Sequence, residues 1–149
     1  MSQISILGCG WLGLPLAKSL LEKGYSVKGS TTSIEKISIL KNEGITPFQI
    51  SLGEDKIEGE IEMFLANSEI LIIDIPPKLR GDSKENFVGK IQTLVPFIEK
   101  SPIKKIKILV LYEKKNYTGH VEHQALCTFI AYVYTLGSMS FEICSNRFS

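Results

Sequence analysis

The sequence predicts an α/β domain with a doubly wound parallel sheet, which begins at the N-terminus and ends after a fifth strand near residue 112. Short apolar strands alternate with amphipathic helices, a glycine-rich turn joins the first strand to the first helix, and the fourth strand is a nearly continuous apolar run. Strands that alternate with helices form βαβ units, whose right-handed crossovers place helices on both faces of a parallel sheet. The chain has 149 residues, 44% of them hydrophobic, which is enough for one buried core.

The first unit is a strand at residues 4–7, followed by a helix that ends before Gly24. Glycine is typical of the residue just past a helix end, where a positive φ is needed. The apolar positions of this helix recur every three or four residues, and they are Leu12, Leu16, Ala17, Leu20 and Leu21. This spacing gives one apolar face that can pack against the sheet.

The second unit has a strand at residues 25–30 and a helix that ends near Gly44. Thr32 and Glu35 have the spacing of a capping box, in which the hydroxyl and the carboxylate each accept a hydrogen bond from an N–H group at the helix start. The apolar face of the helix consists of Ile34, Ile37 and Leu40. We therefore expect this helix to begin directly after Thr32.

The third and fourth strands are predicted at residues 45–52 and 70–75. The helix between them is weakened by Gly59, because glycine costs about 1 kcal/mol relative to alanine inside a helix. Its apolar face is formed by Ile57, Ile61, Phe64 and Leu65. The fourth strand is apolar at nearly every position and ends at Pro76-Pro77, which is typical of a strand buried on both faces of a sheet.

The last unit is a helix followed by a fifth strand at residues 106–111. Asp82 and Glu85 have the spacing of a second capping box, and Pro96 is expected to bend or end the helix. One side of the helix is lined by Phe87, Ile91, Leu94, Val95 and Ile98.

A glycine-rich turn with the pattern GxGxxG joins the first strand to the first helix. Gly8 permits the tight turn, Gly10 lets the backbone approach a pyrophosphate, and Gly13 lets the helix pack against the strand. The N–H groups and the positive dipole end of the helix then face the phosphates. Pro15 is tolerated because its missing N–H has no partner in the first helical turn. The pattern predicts a dinucleotide site, and a glycine turn without a ligand is the alternative. The predicted contacts of the turn are Gly8, Cys9, Gly10, Trp11, Leu12 and Gly13.

The end of the second strand carries the residues expected to select the cofactor. In dinucleotide-binding domains an acidic residue at this place holds the ribose 2′-OH of NAD, whereas this chain has hydroxyls and a lysine. Ser30, Thr31, Thr32 and Lys36 can receive a 2′-phosphate, so NADP is favoured over NAD. The alternative assigns the same residues to a turn, to the helix N-cap and to a solvated helix face.

Residues at the end of the fourth strand complete the candidate site. Ile75, Pro76 and Pro77 follow the strand beside the switch point of the sheet, where they can pack against a ribose of the cofactor. Asp74 is either a functional acid near the nicotinamide or a carboxylate hydrogen-bonded to a loop at the sheet edge. Cys9 is expected to be structural, because its place in the turn requires only a small side chain.

Taken together, residues 4–33, the helix that carries Lys36, the LIIDIPP segment and the fifth strand resemble the N-terminal half of an atypical short-chain dehydrogenase/reductase of the epimerase-like group. The resemblance covers residues 3–111 and is most specific at residues 8–32. It implies a Rossmann fold that binds NAD(P), with residues 75–77 near the cofactor. The β-hydroxyacid dehydrogenases share the three glycines and Pro15, but those enzymes need a second, helical domain.

The same resemblance leaves the catalytic residues unassigned. Short-chain dehydrogenases generally place a serine after the fifth strand and a Tyr-x-x-x-Lys pair on the next helix, where the lysine lowers the pKa of the tyrosine. No tyrosine of residues 112–134 has a lysine four positions later. One hypothesis is an oxidoreductase that moves hydride between the nicotinamide and an unknown small substrate. The other is a cofactor-binding domain without turnover, either a truncated product or an NADPH sensor.

Residues 113–149 differ in kind from residues 1–112, which we interpret as the cofactor-binding domain. The tail has no sustained helical period, and we interpret it as a disordered segment or the product of a frameshift near residues 109–112. The charge-free residues 124–141 favour β-structure over a membrane span. Zinc-competent side chains without a paired CxxC knuckle do not predict a metal site. They are His120, His123, Cys127 and Cys144.

The net charge and the cysteine content limit which classes of partner and which cellular compartment are expected. Seventeen Lys and Arg against sixteen Asp and Glu give a net charge of +1, so no strong field attracts nucleic acid or anionic lipid. Three cysteines are too few for a disulfide framework, and the N-terminus lacks the features of a secretory signal. We therefore expect a cytoplasmic protein whose partners are a dinucleotide and a small substrate, without nucleic acid or membrane.

Overall fold

A computed structural model of the chain describes residues 2–75 and 86–109, and the backbone of residues 128–135 and 138–145. The helices and strands alternate over most of this length. In chain order they are β1 (Gln3–Leu7), α1 (Gly13–Glu22), β2 (Ser26–Thr31), α2 (Glu35–Asn42), β3 (Thr46–Gln49), β4 (Ser51–Leu52), β5 (Ile57–Glu58), α3 (Ile61–Leu65), β6 (Ile70–Ile73), α4 (Phe87–Glu99), β7 (Lys105–Ile108), β8 (Thr128–Thr135) and β9 (Ser138–Ser145).

Five of the strands form one parallel sheet in the order β3-β2-β1-β6-β7. Central β1 pairs on both sides, so that Ile4 lies opposite Val27 of β2 and Ile70 of β6. The chain leaves β1 toward β2 and β3, and then crosses back to β6 and β7. The predicted doubly wound parallel sheet is confirmed. The switch point of the sheet lies between β1 and β6, because the chain runs outward from β1 to β3 on one side and from β6 to β7 on the other. Ligands bind at such a point in open α/β sheets.

The two faces of the sheet bury two separate apolar cores. Because side chains alternate along a strand, Ile4 and Ile6 point to one face and Leu7 to the other. Helices α1 and α2 cover the first face, whose core is Ile4, Ile6, Cys9, Ala17, Val27, Leu40, Ile45 and Ile72. Helices α3 and α4 cover the second, whose core is Leu7, Ile50, Leu52, Ile61, Phe64, Leu65, Leu71, Ile73, Leu94 and Ile103.

Two buried polar side chains fasten the short helix α3 to the sheet. The Ser5 hydroxyl on β1 donates to the Phe64 carbonyl at 2.7 Å. The Lys28 ammonium on β2 donates to the carbonyls of Met63 and Ala66 at 2.8 and 2.6 Å, at the C-terminal end of the helix. Burial lowers the pKa of Lys28. These bonds satisfy carbonyls that the end of a helix leaves without partners.

The third strand is shorter than predicted. Instead of one strand at residues 45–52, β3 pairs parallel with β2, and β4 pairs antiparallel with β5. Ile57, which was expected on the following helix, lies in β5. Gly59 has a φ of +108°, and a Cβ there would lie 2.2 Å from the Gln49 carbonyl oxygen. This glycine turns the chain tightly against the end of β3, so the helix begins only after it.

The predicted capping box at the start of α2 is wrong. The helix begins at Glu35, and its N-cap position is held by Ile34, which makes no side-chain cap. The Thr31 hydroxyl accepts a hydrogen bond from the Ser33 N–H at 3.2 Å, and the Ser33 hydroxyl donates to the Glu35 carboxylate. A hydroxyl that bonds to the backbone two residues later makes a turn. This turn sets the helix start later than Thr32 would.

Helix α4 has a different cap from the one predicted. Asp82 and Glu85 lie outside the described residues, and the helix begins only after Asn86. The Asn86 side chain accepts a hydrogen bond from the Gly89 N–H at 3.0 Å, as an N-cap does. The helix continues past Pro96, so this proline does not end it.

The tail contributes a hairpin in which β8 pairs antiparallel with β9. β8 lies wholly within the charge-free residues 124–141, whereas β9 extends beyond them and includes Glu142. Residues 110–127, including His120, His123 and Cys127, lie outside the described residues, and of Cys144 only the backbone in β9 is described. None of the four helices in the described part of the chain combines the length and the apolar character that a membrane span requires.

Candidate functional site

The turn between β1 and α1 needs glycine at its first and last positions. Gly8 has a φ of +100°, and a Cβ there would lie 2.4 Å from the Asp74 carbonyl oxygen. A Cβ on Gly13 would lie 2.1 Å from the Gly8 carbonyl oxygen. Both distances are shorter than real carbon contacts, so the turn, the helix and the end of β6 can come together only with glycine at these two places.

The middle glycine has a different environment. A Cβ on Gly10 would meet no atom of the described residues within 4 Å apart from its chain neighbours, and its φ is not positive. Next to it, the Trp11 side chain is 74% exposed. The N-cap residue of α1 is Leu12, which makes no side-chain hydrogen bond to the helix. The N-terminus of α1 therefore carries its positive dipole end at an open part of the turn, where an anion can approach the backbone closely.

Ser30 holds the turn against the end of β2. Its hydroxyl accepts a hydrogen bond from the Gly8 N–H at 2.9 Å, and its carbonyl accepts one from the Cys9 N–H at 2.7 Å. The side chain is buried. The sequence indicated a cofactor contact at Ser30, whereas this positioning of the turn was not predicted.

The Cys9 thiol is part of the core beneath the turn. Burial, together with the charge of Asp74, raises the pKa of this thiol to about 12, so it is protonated at neutral pH. Its sulfur lies against Gly29 of β2, where a Cβ would be 2.6 Å from Sγ. These contacts agree with a structural role for the side chain.

Gly29→Ala should lower the free energy of unfolding by about 1–3 kcal/mol, which is typical of overpacking in a core. The added Cβ would lie 2.6 Å from the Cys9 sulfur and 2.8 Å from Cγ2 of Ile45. Urea unfolding measures the loss. The double variant Cys9→Ala/Gly29→Ala should be more stable than the sum of the two single changes predicts, because the small side chain at position 9 leaves room for the new methyl group. Simple additivity would show that this contact is not the cause.

A cleft of about 330 Å³ runs along the carboxyl ends of the parallel strands beside this turn. Eight of the predicted contact residues line it, namely Gly8, Cys9, Gly10, Ser30, Thr31, Thr32, Lys36 and Ile75. Trp11, Leu12 and Gly13 belong to the turn but do not line the cleft. Pro76 and Pro77 lie outside the described residues. The structure thus brings together residues from three separate stretches of the sequence.

The cleft also has walls that the sequence did not indicate. Ser51 and Leu52 of β4 and Lys90 of α4 line it. The β4–β5 hairpin is fastened to α4, because the Asn86 N–H donates to the Glu54 carboxylate and the Thr93 hydroxyl donates to the Glu54 carbonyl, each at 2.7 Å. A weak signal existed for the first two residues, since they directly follow the carboxyl end of a parallel strand, where ligands bind.

Asp74 lies at the base of the cleft, directly under the glycine turn. Its N–H donates to the Leu7 carbonyl at 2.8 Å, which continues the pairing of β6 with β1. Its half-buried side chain accepts a hydrogen bond from the Gly13 N–H. Burial raises the pKa of the Asp74 carboxyl to about 6, and the Gly13 hydrogen bond opposes part of this rise. The observed contact is thus a hydrogen bond to the first residue of α1, at the carboxyl edge of the sheet.

Comparisons of the sequence with known proteins find one kind of curated relative. The chain is 29% identical to Protein YeeZ of Escherichia coli K12 over 96 residues, which cover 64% of this chain and 35% of YeeZ. The YeeZ protein of the O157:H7 strain gives the same figures. The chain therefore spans about a third of the length of the curated relatives it matches. No protein-family profile matches the chain.

Solved structures share the fold at low sequence identity. The TrkA-N domain of the E. coli inner membrane protein YbaL superposes with a TM-score of 0.54 at 19% identity, and the match covers 74% of each chain. Vestitone reductase from alfalfa superposes with a TM-score of 0.55 at 20% identity, covering 72% of this chain and 36% of the reductase. These likenesses establish a Rossmann-like α/β fold for the chain.

Proposed function

We propose that this chain supplies the dinucleotide-binding domain of an NAD(P)-dependent oxidoreductase of the short-chain dehydrogenase type. The observation that carries the proposal is the open glycine turn. Neighbouring backbone leaves no space for a side chain at Gly8 and Gly13, whereas no described residue beyond the chain neighbours comes within 4 Å of a Cβ placed on Gly10. Of the three glycines in the turn, Gly10 is therefore the one at which the described residues leave room for a ligand on the backbone.

The chemistry of the turn fits a pyrophosphate. An anion at the N-terminus of a helix of this length is stabilised by the helix dipole and by backbone N–H groups. Leu12 adds no side-chain acceptor there, and the acceptor already present is the Asp74 carboxylate, which bonds to the Gly13 N–H. The rest of a dinucleotide would extend along the carboxyl ends of β1, β2 and β6, which is the direction of the cleft. A nicotinamide dinucleotide, when bound, supplies hydride at C4 of its ring. The protein contributes binding and orientation.

The end of β2 supports NADP over NAD. Thr32 and Lys36 are exposed and line the cleft. Ser30 is already engaged by the turn and the Thr31 hydroxyl by the Ser33 N–H, so the 2′-phosphate would be held chiefly by Thr32 and Lys36. A phosphate beside a lysine gains a charge-assisted hydrogen bond.

The relatives also support the proposal. Vestitone reductase is a reductase by name, and the sequence resembles the N-terminal half of the epimerase-like short-chain enzymes at the glycine turn and the end of β2. We propose residues 1–112 as the cofactor-binding domain and an unidentified small molecule as the substrate.

Fluorescence of Trp11 tests the binding. It is the single tryptophan of the chain, and it stands exposed in the turn. Titration with NADPH and with NADH should quench its emission, and NADPH should do so at the lower concentration. An equal response to both would contradict the preference for NADP. No response to either, supported by calorimetry that detects no heat of binding, would overturn the proposed function.

Lys36→Gln should weaken NADPH binding about tenfold, or about 1.4 kcal/mol, and leave NADH binding unchanged. The loss follows from removing the cation that would pair with the 2′-phosphate. Lys41→Gln is the matched control, because it removes the same charge from the exposed last turn of the same helix, away from the cleft. If the two variants bind NADPH equally well, the role of Lys36 is wrong.

The second candidate function is a cofactor-binding domain without turnover. It is favoured by the TrkA-N domain, a domain of comparable extent that matches over 74% of each chain. Such a domain would give the same fluorescence titration, but purified protein mixed with NADPH and a panel of aldehydes and ketones would consume no cofactor. Consumption at a steady rate would exclude this candidate.

A further inference from the structure

The carboxylate of Asp74 occupies a position where a negative charge is unfavourable for the proposed ligand. It is held at the first residue of α1 by the Gly13 N–H and lines the same cleft as Gly8 and Gly10. The carboxylate lies close to the backbone of Gly13, since a Cβ on Gly13 would be 3.0 Å from Oδ2 of Asp74. In the protein without ligand, this side chain takes the place of an anion at the positive end of the helix.

Among the described residues, the Asp74 carboxylate accepts its hydrogen bond from a backbone N–H. Among the described residues that line the cleft, the other ionisable groups are Cys9, Lys36 and Lys90. The Cys9 thiol is neutral, because its pKa is raised to about 12. Lys36 lines the cleft from α2 and Lys90 from α4, and the Gly13 N–H donates to the Asp74 carboxylate. From β2, Lys28 is directed away to the end of α3.

We propose that Asp74 is a positioning residue of the phosphate turn and that binding of the dinucleotide is coupled to the uptake of a proton by its carboxyl group. The inference rests on the proposed function. A pyrophosphate brings two negative charges to the same helix end, and like charges in close proximity disfavour ionisation. The neutral carboxyl group removes this repulsion, and it can still accept the Gly13 N–H through its carbonyl oxygen.

The direction of the pH effect follows from linkage. The free protein holds the proton on Asp74 below about pH 6. The bound anion raises this pKa further, so the complex binds more protons than the free protein at a pH between the two values. Affinity therefore falls as the pH rises through this window. If the bound anion raises the pKa by one unit, the dissociation constant increases about tenfold between pH 5 and pH 8.

Calorimetric titration in two buffers of different ionisation enthalpy counts the protons taken up on binding. NADH is the ligand of choice, because the 2′-phosphate of NADPH itself titrates at a pKa of about 6. Wild type should take up part of a proton, with a maximum at about pH 6 to 7. Asp74→Asn keeps an acceptor for the Gly13 N–H but cannot ionise, so its proton uptake should vanish and its affinity should no longer depend on pH.

Asp55→Asn provides the matched control, because it removes one carboxylate from the exposed turn between β4 and β5. It should retain the proton uptake of the wild type. Equal uptake in all three proteins would overturn the role of Asp74, and so would binding by the wild type without any uptake. If Asp74→Asn does not fold, the maximum in the uptake by the wild type decides the question alone. Absence of binding at every pH overturns the proposed function, and this inference with it.

Discussion

Gly13→Ala should destabilise the protein by about 3 kcal/mol, because a Cβ at this position overpacks backbone that cannot move independently. The new atom would lie 2.1 Å from the Gly8 carbonyl oxygen and 3.0 Å from the Asp74 carboxylate. Relief would require α1 to move away from β1, and this movement would open the core around Ala17. Urea unfolding followed by circular dichroism measures the change in the free energy of unfolding.

The same measurement on Gly10→Ala provides the comparison, since a Cβ there meets no described residue within 4 Å other than its chain neighbours. Its stability should stay within about 0.5 kcal/mol of the wild type or increase slightly, because alanine restricts the unfolded chain. Equal losses in the two variants would mean that the turn is not packed as described.

Gly10→Ala should nevertheless weaken binding of NADPH about a hundredfold, or about 2.7 kcal/mol. The physical reason is that the methyl group would occupy the space in which the pyrophosphate approaches the backbone. Quenching of Trp11 measures the dissociation constant. The combination of unchanged stability and lost binding is specific to a ligand on the turn, because a purely structural glycine would give the opposite pair of results.

A useful control for the fluorescence itself is the Trp11→Phe variant, which removes the only tryptophan signal. Calorimetry of this variant should still detect NADPH. If Gly10→Ala binds NADPH as tightly as wild type by both methods, the pyrophosphate does not lie on this turn.

The fold could be predicted from the sequence because each strand and helix has its own local apolar pattern, and these patterns alternate along the chain. The apolar runs at β1 and β6 and the helical spacing of α1 and α4 each indicate one element, and the right-handed crossover rule then leaves few topologies. The β4–β5 hairpin escaped prediction because two-residue strands carry no periodic pattern. From the sequence, Gly59 was interpreted as a weak position inside a helix. In the structure it has a positive φ, because the chain turns tightly against Gln49 there.

The candidate site was predictable in its glycine turn and less so in its walls. The spacing of three glycines, at positions 8, 10 and 13, was enough to predict the turn. Lys90 lines the cleft from α4, a helix that Glu54 connects to the β4–β5 hairpin, and contacts between distant segments leave no trace in a local pattern. The engagement of Ser30 by Gly8 was hidden for the same reason, since 22 residues separate them.

The two hydrogen bonds of Ser30 have a consequence for attempts to redesign cofactor preference. They connect the loop that would receive the diphosphate to the strand end that would receive the adenosine ribose, so that a shift of one would shift the other. An acidic residue in place of Ser30 would supply the partner that NAD-binding domains use for the ribose 2′-OH, but it would disturb the binding of both halves of the coenzyme at once. Engineering should leave this serine intact and start at Thr32, whose side chain is exposed to solvent and can change without shifting the loop.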